Sequence, residues 1–278
     1  MPITIHRQLF NKIRIMDIVK RIYYNVNTSR ITACGVSDVG NVRTNNEDSI
    51  YIDEGGKFFL LADGMGGHER GEEASGAAIE IIRNHFNPEK VKAELKDTTD
   101  GIMPVEVGCV QTIVSAAVER TNSELFARNK RDRLKRYMGT TVVGLVLMEE
   151  SYVFWFHVGD SRLYRFRDSA LKRLTEDHSA YAEWINNGRP GAEPSRSIIT
   201  KAIGPRAVVT PTINWDKWVK GDTYILCSDG LTDMIDDDNI EGILKSGDDV
   251  EKTANRLADA AMDAGGKDNT SVLVCKIL

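Results

Sequence analysis

Along most of the chain, short apolar runs typical of β-strands are interrupted by longer segments with helical spacing. Residues 49–54 and 57–63 are such runs on either side of Gly55-Gly56, which predicts a β-hairpin. The other strand-type runs cover residues 140–148, 151–160, 162–167, 170–174, 222–229 and 271–277. The short spacing between the first four of these runs predicts an antiparallel meander.

Helical segments are indicated where apolar residues recur three or four positions apart, as on one face of an α-helix. They cover residues 71–86, 108–128 and 249–263. Residues 175–200 are polar and broken by glycines and prolines, which predicts an irregular flap. Because strands and helices occur in groups instead of alternating one by one, we predict an α+β fold.

The first 28 residues differ from the rest in carrying five basic residues and one acid, Asp17, between apolar positions at helical spacing. We interpret residues 1–28 as a basic N-terminal extension with helical character and residues 29–278 as one domain. Three roles stay open for the extension: packing on its own domain, docking on a partner, or lying on a membrane surface.

Composition and charge narrow the class of protein. Of the 278 residues, 41% are hydrophobic and 28% charged, which is typical of a soluble globular protein. The net charge of -5 argues against a nucleic-acid-binding protein. No apolar run approaches the about 18 residues needed to span a membrane. The four cysteines are far apart, as expected of free thiols in a reducing compartment, and we predict a cytoplasmic protein.

Acidic residues recur at the edges of the apolar runs. Each is individually compatible with an ordinary turn, since Asp-Gly is a common turn pair. If strand ends converge, however, such carboxylates would repel one another unless bound cations neutralise them. An all-oxygen ligand set suits Mg²⁺ or Mn²⁺ better than zinc or copper. The acids concerned are Glu47, Asp48, Asp63, Asp160, Asp229 and Asp268.

An arginine close to these acids suggests a reaction. Two ions that share an aspartate, with a cation beside them, indicate metal-assisted hydrolysis of a phosphate ester. A water held between the ions would become a hydroxide near neutral pH and attack phosphorus in line. Arg43, five residues before Asp48, is the candidate clamp for phosphoryl oxygens, although a surface arginine paired with an acid would look the same.

A series of motifs between about residues 31 and 278 resembles the metal-dependent protein serine/threonine phosphatases of the 2C type, especially the bacterial ones. In chain order the motifs are SDVGNVRTNNEDS, LLADGMGGHERGEEAS, MGTTVVGLV, FHVGDSRLYRFR, LTEDHS, ITKAIG, LCSDGLTD and GKDNTSVLV. Each is weak alone, but eight in order are specific. The resemblance implies a four-layer α-β-β-α sandwich of two antiparallel sheets flanked by helix pairs, with metal ions at one end.

The resemblance also implies roles for individual residues. Asp63 would bridge two core ions, Asp229 and Asp268 would hold the first, and the Gly64 carbonyl would hold the second. Glu47 would reach the second ion through water, Asp160 and Asp229 would hold a third, and Arg43 would bind the substrate phosphate. Asp48 and Asn269 would orient ligands or waters. Met65 stands where some eukaryotic members have a histidine proposed as general acid, so that role does not carry over.

The predicted function is therefore hydrolysis of phosphoserine and phosphothreonine in proteins, with Mn²⁺ or Mg²⁺ as cofactor. The partners would be phosphoprotein substrates of a serine/threonine kinase, without nucleic acid. A metal-dependent nuclease would also use clustered acids, but the acidic surface disfavours it. The alternative is a catalytically weak scaffold that binds phosphoproteins, which the presence of Asp63, Asp160, Asp229 and Asp268 disfavours.

Overall fold

A computed structural model of the protein describes residues 21–66, 70–86, 105–148 and 151–278. Its first strand, β1 (Arg21–Asn27), lies inside the predicted N-terminal extension and pairs antiparallel with β2 (Ile31–Asp38). The helical interpretation of these seven residues is therefore wrong, because alternate side chains of β1 pack against the domain. Residues 1–20 of the extension lie outside the described residues.

The first sheet is antiparallel throughout and contains both ends of the described chain. Its order is β1, β2, β12 (Thr270–Ile277), β11 (Thr223–Cys227), β8 (Arg162–Arg167) and β9 (Ala170–Arg173). The middle strands β12 and β11 are buried on both faces, which explains their nearly continuous apolar sequence.

The second sheet is also antiparallel and contains the predicted hairpin. Its order is β10 (Thr212–Lys217), β7 (Tyr152–Val158), β6 (Val142–Leu147), β4 (Phe58–Met65) and β3 (Asp48–Ile52). The short strand β5 (Gly139–Thr140) pairs with the end of β4. Strand β10 escaped prediction because it is a half-exposed edge strand, TINWDK, without an apolar run.

Six helices are seen in the described ranges. They are α1 (Arg70–His85), α2 (Val105–Arg131), α3 (Ala180–Asn186), α4 (Asp229–Thr232), α5 (Asp237–Lys245) and α6 (Val250–Asp263). The predicted irregular flap thus contains one helix, α3, whose first turn is capped by Ser179 accepting from the Ala182 N–H at 3.2 Å. None of the described helices is long and apolar enough to cross a membrane.

Three apolar cores separate the layers. Ile82 of α1 and Val114 of α2 pack in one core with Phe58, which belongs to β4 of the second sheet. The two sheets bury Leu61 and Leu273 between them, and α5 and α6 cover the outer face of the first sheet. The result is an α-β-β-α sandwich with a helix pair on each side, as predicted. Asp63 lies in β4 of the second sheet, and Asp229 comes just after β11 of the first sheet.

Candidate metal centre

Asp63 projects from the second sheet with its backbone firmly held. Its N–H donates to Thr141 Oγ1 at 3.0 Å, and its carbonyl accepts from the Thr141 N–H at 2.8 Å. Asp63 lies within β4 and not at its tip, since β4 continues to Met65 by pairing with β5. Asp48, the first residue of β3, is its cross-strand partner, so the two carboxyl groups are neighbours on the ladder.

Asp229 and Asp160 approach the same place from the ends of β11 and β7. Asp229 is the first residue of α4, directly after the turn that follows β11, and its charge acts on Asp63. Asp160 follows β7 and is 9% exposed. Within the described part of the chain, its Oδ1 is buried without a hydrogen-bond partner. A buried carboxylate oxygen in that state is costly unless a cation or water satisfies it.

Asp268 and the segment before β3 complete the cluster. We call residues 39–47 the Arg43 loop. Arg43 Nη2 donates to Asp268 Oδ2 at 2.6 Å, and both side chains are partly exposed. Asn269 holds the loop: its Nδ2 donates to the carbonyls of Val39 and Asn45, each at 2.8 Å, and its Oδ1 accepts from the Glu47 N–H at 2.8 Å.

Two glycines allow helix α1 to approach the cluster closely. A Cβ on Gly64 would lie 2.1 Å from the Gly71 carbonyl oxygen and 2.6 Å from that of Glu47. A Cβ on Gly71 would lie 2.5 Å from the Glu47 carboxyl carbon. Both positions therefore exclude larger residues, and the reason for Gly64 is this packing as well as the access to its carbonyl expected from the sequence. Gly67 and His68 lie outside the described residues.

The carboxyl groups strongly perturb one another. Burial, followed by the charge of Asp48 and then of Asp229, raises the pKa of Asp63 well above its usual value. Burial is also the main cause that raises the pKa of Asp48 to about 8, of Asp160 to about 7 and of Asp229 to about 6. Hydrogen bonds from Ser271 and Ser228 oppose the shift at Asp48. Such a cluster is ionised at neutral pH only if positive charge enters it.

The donor set fits hard divalent cations. The cluster offers carboxylate oxygens, among them the unpartnered Asp160 oxygen, and such ligands suit Mg²⁺ or Mn²⁺. In the described ranges, no three His, Cys, Asp or Glu side chains are arranged so that they could hold a metal ion by themselves. A metal ion at this cluster would therefore need backbone carbonyls and waters among its ligands.

A cleft of about 480 Å³ leads from this cluster to the flap. Asp160 and Asp229 of the cluster line it, together with Tyr181 and Arg196 of the flap. The Arg196 guanidinium lies 4.3 Å from the centroid of the Tyr181 ring, so the two side chains form one surface.

All the site residues predicted from sequence thus lie in one place, at one edge of the sandwich. Sequence reasoning missed Thr141, which anchors Asp63, and Ser228, whose hydroxyl donates to Asp48 Oδ2 at 2.9 Å. Both lie inside the motifs MGTTVVGLV and LCSDGLTD, but a serine or threonine in such a motif carries no signal of its role without the register of the strands.

A sandwich of two antiparallel sheets with clustered acids and an arginine at one edge is the arrangement of a metal-dependent phosphatase. The model of the family described as Protein phosphatase 2C matches residues 41–265, and the chain belongs to this family. The predicted family membership is confirmed.

Curated relatives include bacterial phosphatases of two sizes. Serine/threonine protein phosphatase PstP of Mycobacterium tuberculosis is 35% identical over 87% of this chain and 44% of its own length. The chain therefore spans less than half of that relative. Serine/threonine phosphatase stp of Listeria monocytogenes is 32% identical over 86% of this chain and 92% of its own.

Solved structures show the same fold. The catalytic domain of PstP in complex with two manganese ions has a TM-score of 0.72 at 33% identity, covering 90% of this chain and 99% of that one. The serine/threonine phosphatase of S. agalactiae has a TM-score of 0.76 at 27% identity, covering 89% and 100%. The predicted α+β sandwich is confirmed.

Proposed function

We propose that this protein is a metal-dependent phosphatase that hydrolyses phosphoserine and phosphothreonine in proteins. The observation that carries the proposal is the crowding of Asp48, Asp160, Asp229 and Asp268 around the half-buried Asp63, with Arg43 at the rim. The serine/threonine phosphatase names of the relatives and the two manganese ions of the PstP structure support it.

The geometry supports the ligand assignment made from sequence. Asp63 would bridge two ions of Mn²⁺ or Mg²⁺, with Asp229 and Asp268 on the first. The Gly64 carbonyl, and Glu47 through water, would hold the second. The unpartnered Oδ1 of Asp160 supports its place, with Asp229, at a third ion.

The ions, when bound, would polarise phosphoryl oxygens and lower the pKa of an attacking water. The chain's own residues prepare this chemistry. Arg43 is half exposed at the rim and can therefore bind phosphoryl oxygens of an arriving substrate. Asp48, held by Ser228, orients groups beside Asp63, and Asn269 fixes both ends of the Arg43 loop.

The two histidines near the cleft serve the flap and not proton transfer. The rings of His157 and His178 stack at 4.4 Å, and burial is the main cause that lowers both pKa values, that of His178 to about 3. His178 Nδ1 accepts from the Gly159 N–H at 3.1 Å, which ties the start of the flap to the turn that carries Asp160. His157 Nε2 donates to the Glu176 carbonyl at 2.8 Å, so both rings are held against the flap.

The partners follow from the reaction. Substrates would be phosphoproteins modified by a serine/threonine kinase, and the N-terminal extension remains a candidate docking segment. The buried thiols of Cys34, Cys227 and Cys275 support the predicted reducing, cytoplasmic location.

The test is phosphate release from a phosphothreonine peptide and from p-nitrophenyl phosphate, with Mn²⁺, with Mg²⁺ and with EDTA. We expect release that requires one of the metals and stops in EDTA. Absence of release with either metal, in protein shown by circular dichroism to be folded, would contradict the proposal and favour the phosphoprotein-binding scaffold.

A further inference from the structure

Strand β1 is an edge strand of the first sheet, and its first residue, Arg21, contacts both β2 and helix α6. Arg21 Nε donates to Asp38 Oδ2 at 2.7 Å, and Arg21 Nη1 donates to Asp259 Oδ1 of α6 at 2.6 Å. The Arg21 side chain is 18% exposed and that of Asp38 only 7%. Arg21 and Asp38 are also cross-strand partners, so the ion pair is fixed by the register of β1 and β2.

Asp38 in turn shapes the first residues of the Arg43 loop. Its second oxygen, Oδ1, accepts from the Gly40 N–H at 2.8 Å. Gly40 has a φ of 87°, and a Cβ there would lie 2.4 Å from the Asp268 carbonyl oxygen. The turn at Gly40 therefore packs directly against the backbone of a residue assigned to the metal centre.

The next residue fastens the loop to the same helix that Arg21 reaches. The Asn41 N–H donates to the Gly266 carbonyl at 2.7 Å, and Asn41 Nδ2 donates to the Met262 carbonyl at 3.0 Å. Arg43 follows two residues later, with its Nη2 on Asp268. One chain of contacts thus runs from Arg21 through Asp38 and Gly40 to the arginine at the rim of the site.

We infer that Arg21 is a positioning residue for phosphate binding: through Asp38 it sets the start of the Arg43 loop, and thereby the place of the Arg43 guanidinium. The inference rests on the proposed function for the role of Arg43. Strand β1 precedes the residues matched by the family model, which begin at 41, so the input comes from outside the matched region.

The test compares Arg21→Met and Asp38→Asn, singly and together, in the full chain loaded with Mn²⁺. The readouts are KM and kcat for p-nitrophenyl phosphate, the Ki of inorganic phosphate, and the Kd of inorganic phosphate by calorimetry. We expect each single variant to raise KM, Ki and Kd about fivefold and to change kcat less than twofold. The double variant should be no worse than the singles, because both remove the same contact.

Tyr23→Phe is the matched control. Tyr23 lies on the same strand, and its hydroxyl donates at 3.1 Å to Asn255 Oδ1, which also accepts from Arg21 Nη1 at 3.5 Å. Tyr23→Phe therefore changes a neighbouring contact to α6 and keeps the Arg21–Asp38 ion pair. It should lower the thermal unfolding temperature slightly and leave KM, Ki and Kd unchanged. Asp259→Asn removes the exposed half of the Arg21 contacts and should have a smaller effect than Asp38→Asn.

A lowered unfolding temperature with KM, Ki and Kd all within twofold of the wild type would overturn the inference and leave Arg21 a structural residue. Independent losses that multiply in the double variant would also overturn it. If Arg21→Met does not fold, Arg21→Lys and Asp38→Asn answer the same question. If the wild type releases no phosphate at all, the proposed function fails, while the calorimetric Kd still tests Arg21.

Discussion

An aspartate lies beyond each end of strand β11, and the surroundings of the two carboxyl groups are opposite in charge. Asp222, before the strand, has a fully buried side chain and is completely paired. It accepts two bonds from Arg167, both at 2.6 Å, one from the Tyr224 hydroxyl and one from the Val219 N–H. Asp229, after the strand, is surrounded by other acids, and burial raises its pKa to about 6.

The comparison separates a structural buried charge from a functional one. A buried carboxylate is stable when cations and donors of the same chain surround it, as at Asp222. Asp229 shares its surroundings with Asp63, Asp160 and Asp268, and the nearby cation, Arg43, lies at the exposed rim. The fold keeps these carboxyl groups close together although they repel one another, as expected of a site that binds an external cation.

The largest expected effect comes from Asp229→Asn. The variant lacks a ligand assigned to the first and third ions, so phosphate release should fall by about a thousandfold or more. The measurement is release from a phosphothreonine peptide at saturating Mn²⁺. The matched control is Asp222→Asn at the other end of β11, which should keep its activity per folded molecule. Release at the wild-type rate in Asp229→Asn would refute the metal assignment.

For the free energy of unfolding, we expect the larger loss in Asp222→Asn and not in Asp229→Asn. Asp222→Asn leaves the Arg167 guanidinium without its buried partner and should lower the free energy of unfolding by about 3 kcal/mol. In EDTA, Asp229→Asn should be as stable as the wild type or more stable, because it removes one charge from a repulsive cluster. Urea unfolding of both variants in EDTA measures this. Equal losses in the two variants would mean that the two ends of β11 do not differ.

The pH dependence of the metal-free protein should sharpen the contrast. The pKa values of about 6, 7 and 8 at Asp229, Asp160 and Asp48 lie above the about 4 of an unfolded aspartate. The native state therefore binds more protons than the unfolded state in this range, and this contribution to stability is lost as pH rises through 6 to 8.

The unfolding temperature in EDTA should accordingly fall by roughly 3–6 °C between pH 5 and pH 8. Added Mn²⁺ should raise it more at pH 8 than at pH 5, because cation binding and protonation compete for the same oxygens. Thermal scans with and without Mn²⁺ test this. A metal-free protein that becomes more stable toward pH 8 would contradict the assigned crowding.

The smallest effect is expected at the rim. Arg43→Ala should raise KM for p-nitrophenyl phosphate about tenfold, since one charge-assisted contact to phosphate is lost. Arg43→Lys should recover only part of this, because lysine lacks the planar fork of donors. Arg131→Ala, at the exposed end of α2, serves as control and should leave KM unchanged. Unchanged KM in Arg43→Ala would place phosphate recognition elsewhere.

The sequence by itself determined the main elements and the chemistry of the site. The apolar runs at β4 and β11 predict strands correctly. Each strand is buried on both faces, so nearly every residue in it is apolar. Ordered motifs that contain Asp63, Asp160 and Asp229 identify the family because they combine residue type with position. An oxygen-only set of acids is sufficient to indicate the class of cation.

The tertiary structure decided what depends on contacts between distant segments. Strand β1 looked helical because its residues alternate only weakly, and pairing with β2 overrides that local preference. The close approach of Gly71 to Gly64, the support of Asp63 by Thr141, and the route from Arg21 to Arg43 join residues far apart in the chain. Such contacts are set by strand register and layer packing, which no local pattern encodes.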